Sequence, residues 1–203
     1  MDSPVVRLNE IHSVWGNSEY TATQEKAYLF GHTTYRTFQQ ALAAGLRLGC
    51  IGSGDEHAGR GGIGTWLRHF KSNTAGLIAV YSKSLTKKDI FNSMWDRDVY
   101  ATTGARIIVD FSINGNPMGS EFYVNNPSEK RNIKVHIEGT DNIKYAAIVK
   151  NNGELINKKG YGKSFKIEIS DDKPINKTDY YYVRVVQEDT HLAWSSPIWV
   201  SVK

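Results

Sequence analysis

The spacing of apolar residues along the chain changes once, near residue 104. Before that point, short apolar runs alternate with stripes at helical spacing. Val5 to His12 reads as a strand. Thr33 to Leu48 carries Phe38, Leu42 and Leu46 four residues apart, one face of a helix that Gly49 stops. Cys50 to Ser53 is a short strand, and Gly76 to Tyr81 is an apolar run expected to be buried on both faces. Thr86 is placed to cap a second helix, with Asp89 at the capping-box position and Ile90, Phe91, Met94 and Trp95 on its apolar face. Val99 to Thr102 is extended. This order predicts an α/β domain over residues 1–104.

After Gly104 the period becomes two. ARIIVDFSINGNPMG alternates apolar and polar residues up to Asn114-Gly115, a strong turn pair. NIKVHIEG, KYAAIVKNNGELI, SFKIEIS, DYYYVRVVQ and SPIWVSVK follow, each of strand length and each broken by Gly, Asn, Asp or Pro. Such a series predicts an antiparallel β-sandwich over residues 105–203. Ile107, Val109, Phe111, Val183, Val185 and Trp199 are its expected core. Trp194, Trp199 and Tyr180–Tyr182 can be read as a carbohydrate platform, but aromatic residues in strands usually pack inward.

Composition narrows the function classes. Of the 203 residues, 25 are Lys or Arg and 21 Asp or Glu. The net charge of +4 is spread evenly, with no basic run longer than two residues, which argues against nucleic acid as a partner. Cys50 is the single cysteine, so neither an intramolecular disulfide nor a cysteine zinc site is available. No apolar run approaches a membrane span, and the first residues lack the pattern of a signal peptide.

The chemistry-bearing stretch is CIGSGDEHAGRGG, residues 50–62. In an extended segment Asp55 and His57 project together, and a carboxylate beside an imidazole suits zinc, manganese or iron. The alternative is a tight turn with Asp55 as its cap. Gly59-Arg-Gly61-Gly-Ile-Gly64 matches a phosphate-loop pattern but neither follows a strand directly nor carries the Lys-Ser or Lys-Thr such loops use. Arg60 would serve as a fixed donor to a substrate oxygen. Upstream, Glu10 and His12 share a face if they end the first strand, while Glu19 reads as a surface acid. His32, His69, His136 and His191 read as structural or solvated.

EIHSVWGNSEY, ALAAGLRLGCIGSGDEHAGRGG, GLIAVYSKSLTKKDIFNSMWDRDVYATTGARI and DYYYVRVVQEDTHLAWSSPIWV together resemble an uncharacterised bacterial branch of the PHP (polymerase and histidinol phosphatase) superfamily. The resemblance implies the last part of a distorted (β/α)7 barrel followed by a β-sandwich. It implies a metal-dependent hydrolase whose Asp-x-His motif falls on Asp55 and His57, with Glu10 or His12 as a further ligand and a small-molecule ester as substrate. It also implies a longer parent, exported to the periplasm. The His-x-His motif with which such barrels begin is absent from the sequence. The isolated chain is therefore expected to be an inactive, truncated barrel with a raw edge, open to homo-oligomer formation, while residues 105–203 form the stable unit. The second reading is a non-catalytic module that binds a partner or buttresses a neighbouring domain.

Overall fold

The computed structural model describes residues 5–20, 37–55 and 74–203. Among them are fifteen strands and two helices. In chain order these are β1 (Leu8–Ser13), β2 (Gly16–Asn17), α1 (Phe38–Ala43), β3 (Gly49–Gly52), β4 (Leu77–Val80), α2 (Lys87–Trp95) and β5 (Val99–Thr102). There follow β6 (Ile108–Ile113), β7 (Asn116–Pro117), β8 (Glu121–Val124), β9 (Arg131–Glu138), β10 (Ile143–Lys150) and β11 (Gly153–Lys159). The last four are β12 (Ser164–Asp171), β13 (Thr178–Gln187), β14 (Leu192–Ser195) and β15 (Ile198–Val202).

The strands form three layers. An eight-stranded sheet runs β11-β10-β13-β14-β5-β4, with β15 joined to β13 and β8 to β15. A four-stranded sheet, β12-β9-β6-β7, covers one of its faces. Between them lie Ile107, Val109, Phe111, Ile133, Val135 and Ile137 from one side and Ile148, Tyr181, Val183 and Val185 from the other. A second core fills the opposite face. There Ile11, Phe38, Leu42, Leu48 and Cys50 pack on Ala101, Tyr180, Tyr182, Val186, Trp194 and Trp199. This third layer consists of the small sheet β2-β1-β3 and α1.

β13 has a core on each side. Its odd positions, Tyr181, Val183 and Val185, enter the sandwich core, while Tyr180, Tyr182 and Val186 enter the second. A strand covered twice needs apolar residues on both faces, hence the near-continuous TDYYYVRVVQ. Trp199, expected in the sandwich core, belongs to the second one. The aromatic platform is likewise absorbed into packing: Trp194, Tyr181 and Tyr182 are fully buried.

The α/β expectation fails for residues before 104, and with it the truncated (β/α)7 barrel. Among the described strands before residue 104, only β1 and β3 pair with each other in parallel. β4 turns back and pairs antiparallel with β5, and β5 pairs antiparallel with β14 from the far end of the sequence. The regular structure of the described chain is therefore nearly all β. The change of rhythm at Gly104 is present in the sequence, but the large sheet runs through it. Glycine makes the crossing possible: a Cβ on Gly52 would lie 2.8 Å from the carbonyl oxygens of Leu77 and Thr102. Gly76 lies as close to the His12 carbonyl and the Ser53 amide. No side chain fits where β3 ends against β4 and β5. α2 forms as expected, its Asp89 amide bonded to Thr86 Oγ1, yet buries none of its residues, and Phe91 is 61% exposed. The first helix is shorter than its stripe, starting at the Thr37 cap with Gln40 completing the capping box. No helix among the described residues is long and apolar enough to cross a membrane.

A charged cluster ties the two sandwich sheets together. Asp171 Oδ2 on β12 lies 2.8 Å from Lys150 Nζ on β10 and 3.3 Å from Arg131 Nη2 on β9. It also accepts from Tyr181 Oη at 2.8 Å, and Lys150 Nζ reaches Asp179 Oδ2 at 2.8 Å. Burial would raise the Asp171 carboxyl, but the bonds from Lys150 and Tyr181 outweigh it and hold it down at about 2. In the unfolded chain an aspartate titrates near 4, roughly. Asp171 therefore contributes its full stabilisation above about pH 4 and loses it as pH falls to about 2, a contribution of about 2 kcal/mol. Denaturant unfolding at steps between pH 2 and 5 should show a steeper loss of stability in the wild type than in Asp171→Asn. Parallel pH profiles for the two proteins would remove Asp171 from this role.

Candidate functional site

β1 carries the first candidates to the end of the small sheet, beside the end of β3. Its pairing with β3 slips between Glu10 and His12, a β-bulge at Ile11. The slip breaks the period-two rule that would put Glu10 and His12 on one face. Ile11 and His12 are both buried, and Glu10 is exposed. The His12 ring stacks on Trp194 with centroids 6.2 Å apart, and Nε2 donates to the Thr74 carbonyl at 3.0 Å.

Glu10 meets the second candidate stretch instead. Its Oε2 accepts a short hydrogen bond from Ser53 Oγ, and the Asp55 amide donates to the same Ser53 oxygen at 3.2 Å. Asp55 has φ of +44°, in the left-handed region, so the chain turns here and is not extended. The premise that Asp55 and His57 project side by side therefore does not hold at Asp55. His57 and Arg60 lie outside the described residues, as do His32 and His69. Desolvation raises the Glu10 carboxyl above its ordinary value, opposed by Ser53 and reinforced by the charge on Asp55. What the backbone assembles is a small acidic turn of Glu10, Ser53 and Asp55, with His12 directed inward. Among the described residues no group of three or more His, Cys, Asp or Glu side chains is placed to hold a metal ion.

The residue that organises this layer is Glu19, which the sequence pattern reads as a surface acid. It is 1% exposed. Its carboxylate accepts from Tyr182 Oη at 2.6 Å, Trp194 Nε1 at 2.7 Å, and Arg184 Nε and Nη2 at 2.9 Å each. The backbone of Glu19 is held as well, since its amide donates to Asn17 Oδ1 and its carbonyl accepts from the Gln39 amide. Burial works against the charge on Arg184, and the Glu19 carboxylate outweighs it, keeping the guanidinium charged. Burial, then the Glu19 charge, push the Tyr182 hydroxyl well above its ordinary value, so it stays a donor. Arg184 Nη1 continues to Glu154 Oε1 at 2.7 Å, and its guanidinium lies 5.2 Å over the Tyr20 ring. One signal was available: DYYYVRVVQ places an arginine in a strand otherwise apolar on both faces, and a buried cation requires an acid.

Other candidates have structural settings. Burial pushes the Cys50 thiol up, and Sγ donates to the Trp194 carbonyl at 3.0 Å. His191 Nδ1 lies 2.8 Å from Thr103 Oγ1, and His136 Nε2 lies 2.7 Å from Glu138 Oε1.

A family model described as "Protein of unknown function (DUF3604)" matches residues 17–127. An uncharacterised protein of Chlamydia pneumoniae is 29% identical over 218 residues, covering 97% of this chain and 34% of the relative. Uncharacterised proteins of Chlamydia trachomatis and Chlamydia muridarum are each 30% identical, again over 97% of this chain and 34% of theirs. The chain thus spans about a third of the length of these relatives. Among solved structures, the CARDB domain of PF1109 from Pyrococcus furiosus aligns in its solution form with a TM-score of 0.33 and 12% identity. That alignment covers 48% of this chain and 94% of the domain. A crystal form of the same domain, in complex with di-metal ions, gives 0.32 at 12% identity, covering 48% and 93%. The PHP resemblance is not upheld. The matching model is a different one, and the described fold lacks the strand–helix alternation such a barrel requires. The reading as the end of a hydrolase barrel goes with it.

Glu19→Gln should cost about 3 to 5 kcal/mol, because it leaves the Arg184 charge buried without its counter-ion. Urea unfolding followed by tryptophan fluorescence measures this. The double change Glu19→Leu with Arg184→Met should cost less than Glu19→Gln alone, which a merely steric role would not give. At the acidic turn, Asp55→Asn should lower the Glu10 pKa in a carboxyl NMR titration, and an unmoved Glu10 would show that the two charges do not interact.

Proposed function

The chain belongs to the DUF3604 family of proteins of unknown function, and from that premise we infer that this segment is a non-catalytic, β-sandwich-bearing module that binds or buttresses a neighbouring domain. The observation that carries the reading is the Glu19 cradle. The most completely engaged carboxylate of the N-terminal layer spends all of its acceptor capacity on Tyr182, Trp194 and Arg184 of the large sheet. A carboxylate saturated by four donors and closed to water holds a layer in place and has no lone pair to offer a reacting group. The three-layer packing agrees, because β1, α1 and β3 contribute a cover to the sandwich through Ile11, Phe38, Leu42 and Cys50 in its second core. His12 and Cys50, two further reactive side chains of this layer, are directed into the same interface.

Generic phosphate and carboxylate esters test the reading. The purified 203-residue chain should hydrolyse neither above the blank rate, with or without added zinc or manganese. Turnover that a chelator abolishes would overturn it.

A further inference from the structure

The two ends of the path β11-β10-β13-β14-β5-β4 differ in kind. β11, at one end, has the sequence GELINKK, with Glu154, Lys158 and Lys159 along it. Charges of this sort keep an exposed edge from pairing with other strands. β4, at the other end, has the sequence LIAV and carries no charge at all. Its inner side is engaged: the Tyr81 amide donates to the Asp98 carbonyl at 3.0 Å, continuing the pairing with β5. In an antiparallel pair alternate residues turn their N–H and C=O groups to opposite sides. Gly76 accordingly points outward, its amide bonded to the Ser53 carbonyl, and Ile78 and Val80 follow it on that outer side. Past Gly76 no strand among the described residues pairs with this side.

Beside the bare edge the sandwich core is open. A mostly apolar groove of about 450 Å³ is bounded by Leu77, Ala79 and Tyr100 of the large sheet and by Ala105, Ile107 and Ile108 leading into β6, with Thr102 and Arg106 as its polar members. Leu77 and Ile108 are 40% and 48% exposed there.

We propose that the outer edge of β4 and this groove receive one further β-strand, contributed by the polypeptide that accompanies this segment in its longer relatives. The strand is uncharged and carries small or medium apolar side chains at alternate positions. Backbone bonds to Ile78 and Val80 give it register, and every second side chain lies over Ala79, Ile107 and Ile108. The relatives supply the chain, since this segment is 34% of their length. A second copy is the weaker occupant, because two four-residue strands paired edge to edge bury only a few hundred Å², well under the roughly 1,200 Å² of a stable interface. The proposal rests on the module reading and deepens it by naming the edge through which the module docks.

Residue-resolved hydrogen exchange tests it on the 203-residue chain at two concentrations and on the full-length Chlamydia pneumoniae protein. The amides of Ile78 and Val80 should exchange freely in the 203-residue chain at both concentrations. Those at the equivalent strand positions of the full-length protein should be slowed by about 100-fold or more. Ala79 and Tyr81, bonded to β5, serve as the protected control in both. Free exchange at the edge in the full-length protein overturns the proposal. So does concentration-independent protection in the short chain, and so does protection that appears only as concentration rises, which would mark a second copy. None of these outcomes bears on ester turnover, so the docking edge and the non-catalytic reading stand or fall separately.

Discussion

The fold depends on one carboxylate that has left water. An unpaired buried charge would cost several kcal/mol, roughly, and mutual attraction repays that cost only with good geometry and with every lone pair satisfied. Glu19 meets that condition through Arg184, Tyr182 and Trp194 together. The requirement runs both ways. Arg184 sits on the face of β13 that Tyr182 and Val186 line, and without the acid that face could not be closed. Neither charge can be covered without the other, so closing this face of the large sheet and seating the N-terminal layer are one step. Apolar contacts supply most of the adhesion, and the ion pair fixes which way the layer lies on the sheet.

The second half of the fold was legible because one of its two sheets faces water. β6, β9 and β12 alternate buried and exposed residues, and a period of two in sequence is a period of two in space. The first half was not. GLIAV has the same composition whether it is a parallel strand under helices or a bare antiparallel edge, and nothing local separates the two. The difference lies in the partner: β5 pairs with β14, some ninety positions away in sequence. Trp199 was misplaced for a related reason, since alternation says that a face is buried without saying which of two cores buries it.

The geometry expected of the candidate side chains is altered by the backbone at two described positions. Glu10 and His12 fit a shared face until the bulge at Ile11 inserts a residue between them. Asp55 was expected to be extended and instead takes a positive φ. Bulges and left-handed residues are decided by contacts far along the chain, here the crossing of Gly52 and Gly76 over β4 and β5. Glu19 was missed for the opposite reason. It lies among Asn, Ser and Tyr, so its surroundings in sequence are polar, and only the arginine 165 positions later signals that it is buried.

That separation sets an order of events during synthesis. The strand on which both cores close is β13, and by the time it leaves the ribosome β1, α1 and β3 have long been outside it. Until then Ile11, Phe38 and Leu42 have no surface to cover, and closing so long a loop gains nothing until its ends meet. The apolar side of the first layer is therefore displayed for most of translation, a window in which holding factors that bind bare hydrophobic segments have their opportunity. A segment arranged this way closes both cores on a late strand, and its N-terminal layer waits for that strand before it is sheltered.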